Sequence, residues 1–225
     1  MPLQPIVAPP WRRAAVLAVV AAAVMVAAFG IALHDVRSTV AFDRWTARPL
    51  FDYVGEGGKN FMVGLSTPAI PLILLAAIAV GAALLRRWNV VALSIVGPIA
   101  ALGLTEYVLK PAVHRTLVLN SVDAGYAYPS GHETGLVSLL VVLLLLLPRL
   151  RLSRPATVAT ASLLAVWAVL GALGLVRAHY HYMSDTVGGV GIAVVCVLGS
   201  ALVIDFGTGM LSRRVHTGAG AGQLT

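Results

Sequence analysis

Apolar residues in this chain fall in long, nearly unbroken runs, unlike the spaced stripes of soluble helices or the alternation of strands. Six runs reach or approach the roughly 20 residues that carry a helix across about 30 Å of hydrocarbon. They lie near 14–33, 61–85, 89–109, 132–148, 155–176 and 186–205. The pattern predicts an all-α polytopic membrane protein, with six transmembrane helices in one bundle and a single membrane-embedded domain over 1–225. Arg12 and Arg13 precede the first run, as in a signal peptide. Its apolar core exceeds the usual ~7–15 residues and no small-x-small site follows, so it reads as an uncleaved span. Pro68, Pro71 and Pro98 interrupt the second and third runs, which is tolerated where neighbours satisfy the freed carbonyls. The fourth run is short, placing its amino-terminal end in a protein-lined cavity near the interface. Asp205 reads as a solvated helix end, and the Gly- and Ala-rich stretch from about 207 as a flexible tail.

Composition agrees. Only 11% of residues are charged, against about 25% in soluble domains. A net charge of +7 would suit nucleic acid, but the arginines flank apolar runs instead of clustering on a soluble face, so no nucleic-acid partner is expected. The single cysteine, Cys196, excludes an internal disulfide framework. Under a six-span count, Arg12/Arg13, Arg86/Arg87, Arg149/Arg151/Arg154 and Arg213/Arg214 share one side, without acids. The other side mixes Arg37, Arg44, Arg48, Lys59, Lys110, Arg115 and Arg177 with six acids. The positive-inside bias makes the first side, with both termini, cytoplasmic. Segments 35–60 and 110–131 are then long outer connections, the kind that carries function. Phe42, Trp45, Phe51 and Tyr53 suit the first of these to the headgroup layer.

The chemistry concentrates on that outer side. Tyr128-Pro129-Ser130-Gly131-His132 opens the fourth span. Ser130 is a good N-cap, Gly131 admits an anion close to the backbone, and unpaired helix N–H groups favour phosphate. His181 and Asp185, four apart at the start of the sixth span, share a helical face. The carboxylate can accept from one ring nitrogen and leave the other free as a nucleophile. Lys110, Arg115 and Arg177 are candidate phosphoryl-binding cations, with interfacial snorkelling as their alternative. Glu106, one turn before Lys110, reads as its structural partner, Glu133 as an acid favouring a helix start, and His179 as a rim residue.

Together these motifs resemble the type 2 phosphatidic acid phosphatase superfamily of integral membrane lipid phosphatases. Pro129-Ser130-Gly131-His132 matches that family's second motif in full, and His181-x-x-x-Asp185, running into Gly188-Gly189, matches its third. The resemblance implies a metal-independent, cofactor-free phosphatase acting through a phosphohistidine. His181 would be the nucleophile, Asp185 its ring partner and His132 the acid and base. Lys110, Arg115, Ser130, Gly131 and Arg177 would hold the phosphoryl group. Two positions depart from the family: the arginine expected seven residues after Lys110 is Leu117, and the one expected six before His181 is Leu175. Arg115 and Arg177 are the local replacements. The implied partners are the bilayer and a lipid phosphate. An isoprenyl diphosphate is favoured, with phosphatidic acid, phosphatidylglycerol phosphate and diacylglycerol pyrophosphate as competitors. Two other classes stay open at this point: a metal-dependent hydrolase using His132, His179, His181 and Asp185, and a transporter or non-catalytic lipid-phosphate binder.

Overall fold

The computed structural model of the protein describes residues 5–119 and 122–221. Six helical stretches are long and apolar enough to cross a membrane: Pro9–Ala32, Glu56–Leu84, Trp88–Val113, Gly131–Leu150, Arg154–Arg177 and Met183–Met210. They coincide with the six runs read from the sequence, and the chain is an all-α integral membrane protein.

In chain order, α1 (Arg12–Ala32) is the first span. It is followed by α2 (Ala41–Tyr53), an outlying amphipathic helix within the long first connection. The second span is broken into α3 (Glu56–Leu65) and α4 (Ala69–Leu84) at Ser66-Thr67-Pro68. Proline has no N–H to continue the ladder, and Trp167 Nε1 donates to the Leu65 carbonyl at 3.0 Å beside the break. α5 (Trp88–Gly103) runs into a π-helical turn, Leu104–Leu109, and then α6 (Lys110–Val113). A short hairpin, β1 (Thr116–Leu119) and β2 (Val122–Tyr126), fills the second long connection. Its antiparallel register pairs Thr116 with Tyr126 and Leu119 with Val122. The run of spans gave no hint of this hairpin, because four- and five-residue strands carry too little periodicity to stand out beside the apolar runs. α7 (Gly131–Leu146), α8 (Arg154–Arg177), α9 (Met183–Ala193), a second π turn (Val194–Leu198) and α10 (Gly199–Ala221) complete the chain. α10 extends across the region from about 207 where composition suggests a flexible tail.

α7 is the central helix and packs against α4, α5, α8 and α9. Leu93, Leu139, Val142, Val197 and Ala201 form its largest apolar contact cluster. Small residues set the close approaches. A Cβ on Gly174 of α8 would lie 2.6 Å from the Met62 carbonyl carbon and 2.7 Å from the Val63 nitrogen. Because backbone cannot yield as a side chain can, Gly174→Ala should push α3 from α8 and cost about 1–3 kcal/mol. The thermal midpoint in detergent reads this directly.

The two ends of the bundle differ chemically. Arg87, Arg149 and Arg151 line a cavity with Pro5 to Pro9 at one end. There Asp205 is buried, not the solvated end its position suggests. It accepts from the Ile6 and Val7 amides at 2.6 and 2.7 Å and pins the amino-terminal segment. Two unpaired amides in an apolar setting need an acceptor, and a carboxylate serves both. The opposite end carries α2, the hairpin and the histidine motifs.

Candidate active site

Ser130 caps α7 as its sequence suggests: its Oγ accepts from the Glu133 amide at 3.3 Å, and its carbonyl accepts from Thr134 Oγ1 at 2.8 Å. Ser130 N donates to the Asp185 carbonyl at 3.0 Å, tying the start of α7 to the start of α9. This seam brings His132 and His181 together, ring centroids 6.0 Å apart and edge to face. His181 Nδ1 lies 3.1 Å from the Ala127 carbonyl. A carbonyl only accepts, so the neutral ring carries its hydrogen on Nδ1 and leaves Nε2 with a free lone pair.

Asp185, expected from its spacing to take that Nδ1 hydrogen, lies 3.8 Å from it, beyond hydrogen-bonding range. Its oxygens are engaged elsewhere. Oδ2 accepts from the Tyr182 amide at 2.9 Å, closing a cap on α9, and Oδ1 accepts from Arg115 at 2.6 Å.

Arg115 is enclosed, with no exposed surface. One guanidinium nitrogen donates to Asp185 and to Ser184 Oγ, the other to Asp43 Oδ2 at 2.6 Å. Tyr182 lies against its face, 4.4 Å from ring centroid to guanidinium carbon. Asp43 Oδ1 in turn accepts from Ser184 N at 2.9 Å and Ser184 Oγ at 2.7 Å. Asp43 and Asp185 occupy equivalent third positions in α2 and α9, so Arg115 clamps the amino termini of two helices. It is thus placed beneath the histidine pair in a structural network, not as a free phosphoryl-binding cation. Burial raises the Asp43 carboxyl, but the hydrogen bonds from Ser184 and the charge and hydrogen bond of Arg115 more than offset it, leaving it below its ordinary value. A carboxyl depressed in the folded state adds stability that is full above its ordinary 3.8 and is lost as pH falls below it. Acid destabilisation below about pH 4 should therefore be steeper in the wild type than in Asp43→Asn, measured as midpoint against pH.

Arg177 is also tied down. Its Nε donates to the Val54 carbonyl at 2.9 Å, Nη2 lies 3.6 Å from Glu56, and the group stacks on Phe51. Lys110 Nζ donates to both Glu106 oxygens at 2.8 Å, the structural pair its spacing suggests. That pair lies against Gly131, where a Cβ would meet the Glu106 carboxylate and displace that side chain. Lys110, Glu106, Gly131 and His132 line a cavity of about 250 Å³ walled by Pro68, Leu72 and Leu102. Glu133 is fully buried, and neither of its oxygens has a hydrogen-bond partner among the described residues. His181 lines a second cavity of about 310 Å³, with His179, Phe51, Arg44 and Arg48. His179 stacks on Phe51 at 4.8 Å, in keeping with a rim position. Among the described residues, no three His, Cys, Asp or Glu side chains are grouped as a metal-ligand set.

The PAP2 superfamily model matches residues 91–207, which takes in most of the third and sixth spans, the fourth and fifth whole, and both histidine motifs. The chain belongs to the PAP2 superfamily. No curated protein and no solved structure matches it. PAP2-superfamily members are phosphatases, so the histidine seam of this PAP2 protein belongs to a fold that acts on phosphate esters. Sequence reading missed the Ala127 carbonyl, Asp43 and Ser184. The carbonyl carries no sequence signal at all. Asp43, three residues after Val40 at the start of an amphipathic helix, has the spacing of an N-terminal capping acid and could have been found.

Proposed function

We propose that this protein is a membrane lipid phosphatase that removes a terminal phosphate from a lipid phosphate or diphosphate, with His181 as nucleophile and His132 as acid and base. The observation that carries this reading is the histidine pair. The rings are 6.0 Å apart at two span ends, and the backbone carbonyl on His181 Nδ1 frees Nε2. A phosphorus atom about 3–3.5 Å from one ring can present its leaving oxygen within about 2.6–3.2 Å of the other.

In the first step Nε2 of His181 bonds to phosphorus while the bond to the lipid oxygen breaks, and His132 gives that oxygen its proton. In the second, His132 takes a proton from water, the water oxygen bonds to phosphorus, and the N–P bond breaks to release inorganic phosphate. Asp185, 3.8 Å from the ring, would stabilise the charge that builds on His181. Lys110 and the Gly131 backbone lie beside His132 and suit the phosphoryl oxygens. The chemistry needs no metal or cofactor.

The substrate is read from position. Both cavities open at a span end with mostly apolar walls, which fits an amphiphile whose phosphate sits at the interface. Isoprenyl diphosphate is the first choice, ahead of phosphatidic acid and phosphatidylglycerol phosphate. The arginines clustered at the far end of the bundle support cytoplasmic termini and an extracytoplasmic site in a plasma membrane. Residues 1–225 are read as one domain. Release of inorganic phosphate from these three lipids by purified protein in excess chelator tests the reading. Release from none of them, with the lipids still bound, would favour a non-catalytic binder, and release that chelator abolishes would favour a metal-dependent hydrolase.

A further inference from the structure

We infer that Arg44 and Arg48 of α2 are the arginines that hold the transferring phosphoryl group in this chain. This rests on the reading of His181 as nucleophile. The positions where the superfamily resemblance expects arginine hold Leu117 and Leu175, and the two nearby arginines are committed to structure. Arg115 lies between two buried carboxylates, and Arg177 is held by Val54 and Glu56. Lys110, paired with Glu106, lines the cavity of His132 and not the one that His181 lines. Beneath His181, the Asp43–Arg115–Asp185 network sets two carboxylates against one guanidinium and so carries one net negative charge. A phosphoryl dianion cannot approach such a floor without further positive charge.

Arg44 and Arg48 supply it. They are four residues apart, hence on one face of α2, and both line the cavity that His181 lines. Arg44 donates once, to the Thr39 carbonyl at 2.7 Å, and neither residue has a carboxylate partner among the described residues. Each planar guanidinium has donors left to grip phosphoryl oxygens in bidentate fashion. Phe51, Leu117, Val176 and Met183 give the cavity an apolar side that suits the first carbons of a lipid chain, while Asp43, which also lines it, is already paired with Arg115. The buried Asp43 on the same helix anchors α2 to α9, which carries Asp185 and closes the same cavity through Met183.

The test compares wild type, Arg44→Gln/Arg48→Gln, Arg44→Lys/Arg48→Lys and a control, Arg37→Gln, whose side chain is exposed and does not line this cavity. Hydrolysis of short-chain phosphatidic acid and of a short prenyl diphosphate is followed, and orthovanadate binding is measured by calorimetry. The double glutamine variant should lose about 100-fold in kcat/KM, about 10-fold per guanidinium, with vanadate affinity weakened in parallel. The lysine variant should recover part of both, and Arg37→Gln should leave both unchanged. A larger loss on the diphosphate than on the monophosphate would assign the pair to the second phosphate as well. The inference is overturned if the double variant stays within about threefold of wild type, or falls no further than Arg37→Gln. If wild type itself hydrolyses neither lipid, the catalytic reading fails, and vanadate affinity still decides the role of the arginines.

Discussion

His181→Ala should lower phosphate release from every lipid phosphate substrate by about 10⁴-fold or more, the scale seen when a covalent nucleophile is removed. That corresponds to at least about 5 kcal/mol of lost transition-state stabilisation. The size follows from the proposed role. As nucleophile His181 would make the new bond to phosphorus, and His179, stacked on Phe51, is not placed to replace it. His132→Ala should cost less, about 10²–10⁴-fold, because proton transfer can pass in part to water. Among the described residues the side chain of His181 makes one hydrogen bond, to the Ala127 carbonyl, and the ring borders a cavity, so folding should survive. Substantial activity in a well-folded His181→Ala protein would remove His181 as nucleophile.

Arg115→Ala should act on the fold. Removing the guanidinium leaves Asp43 and Asp185 facing each other in a closed space, and breaking a buried ion pair costs about 3–5 kcal/mol. For a domain of this size that is a drop of about 10 °C or more in thermal midpoint. Arg115→Lys should also destabilise, since one ammonium cannot reproduce a fork that meets Asp43, Ser184 and Asp185 together. Any Arg115→Ala protein that remains folded should bind substrate with nearly the wild-type KM, whereas loss of Arg44 and Arg48 should raise it. A stable variant with a selectively raised KM would return Arg115 to the phosphoryl site.

The contrast between these arginines shows where sequence reading stops. Spans are legible because each is a local property: about 20 apolar residues in a row. The histidine motifs are legible because both fall at span ends, where topology alone brings them to one face. Ser130 as N-cap and the Glu106–Lys110 pair follow from spacings of three and four residues and reappear as read. Arg115 was legible only as a charge near a motif. Its partners are 70 and 72 residues away along the chain, and no local pattern distinguishes an arginine facing substrate from one clamped between helices.

By itself, then, the sequence determined an all-α protein of six membrane-spanning helices, its superfamily, and two histidine motifs at one end. Tertiary structure alone decided the partners of those residues: that a backbone carbonyl orients His181, that Asp185 and Asp43 share Arg115, and that Arg44 and Arg48 of α2 line one cavity with His181. The physical reason is range. Hydrophobic length and capping are satisfied within a few residues, whereas a buried charge is satisfied by whichever opposite charge the fold carries to it.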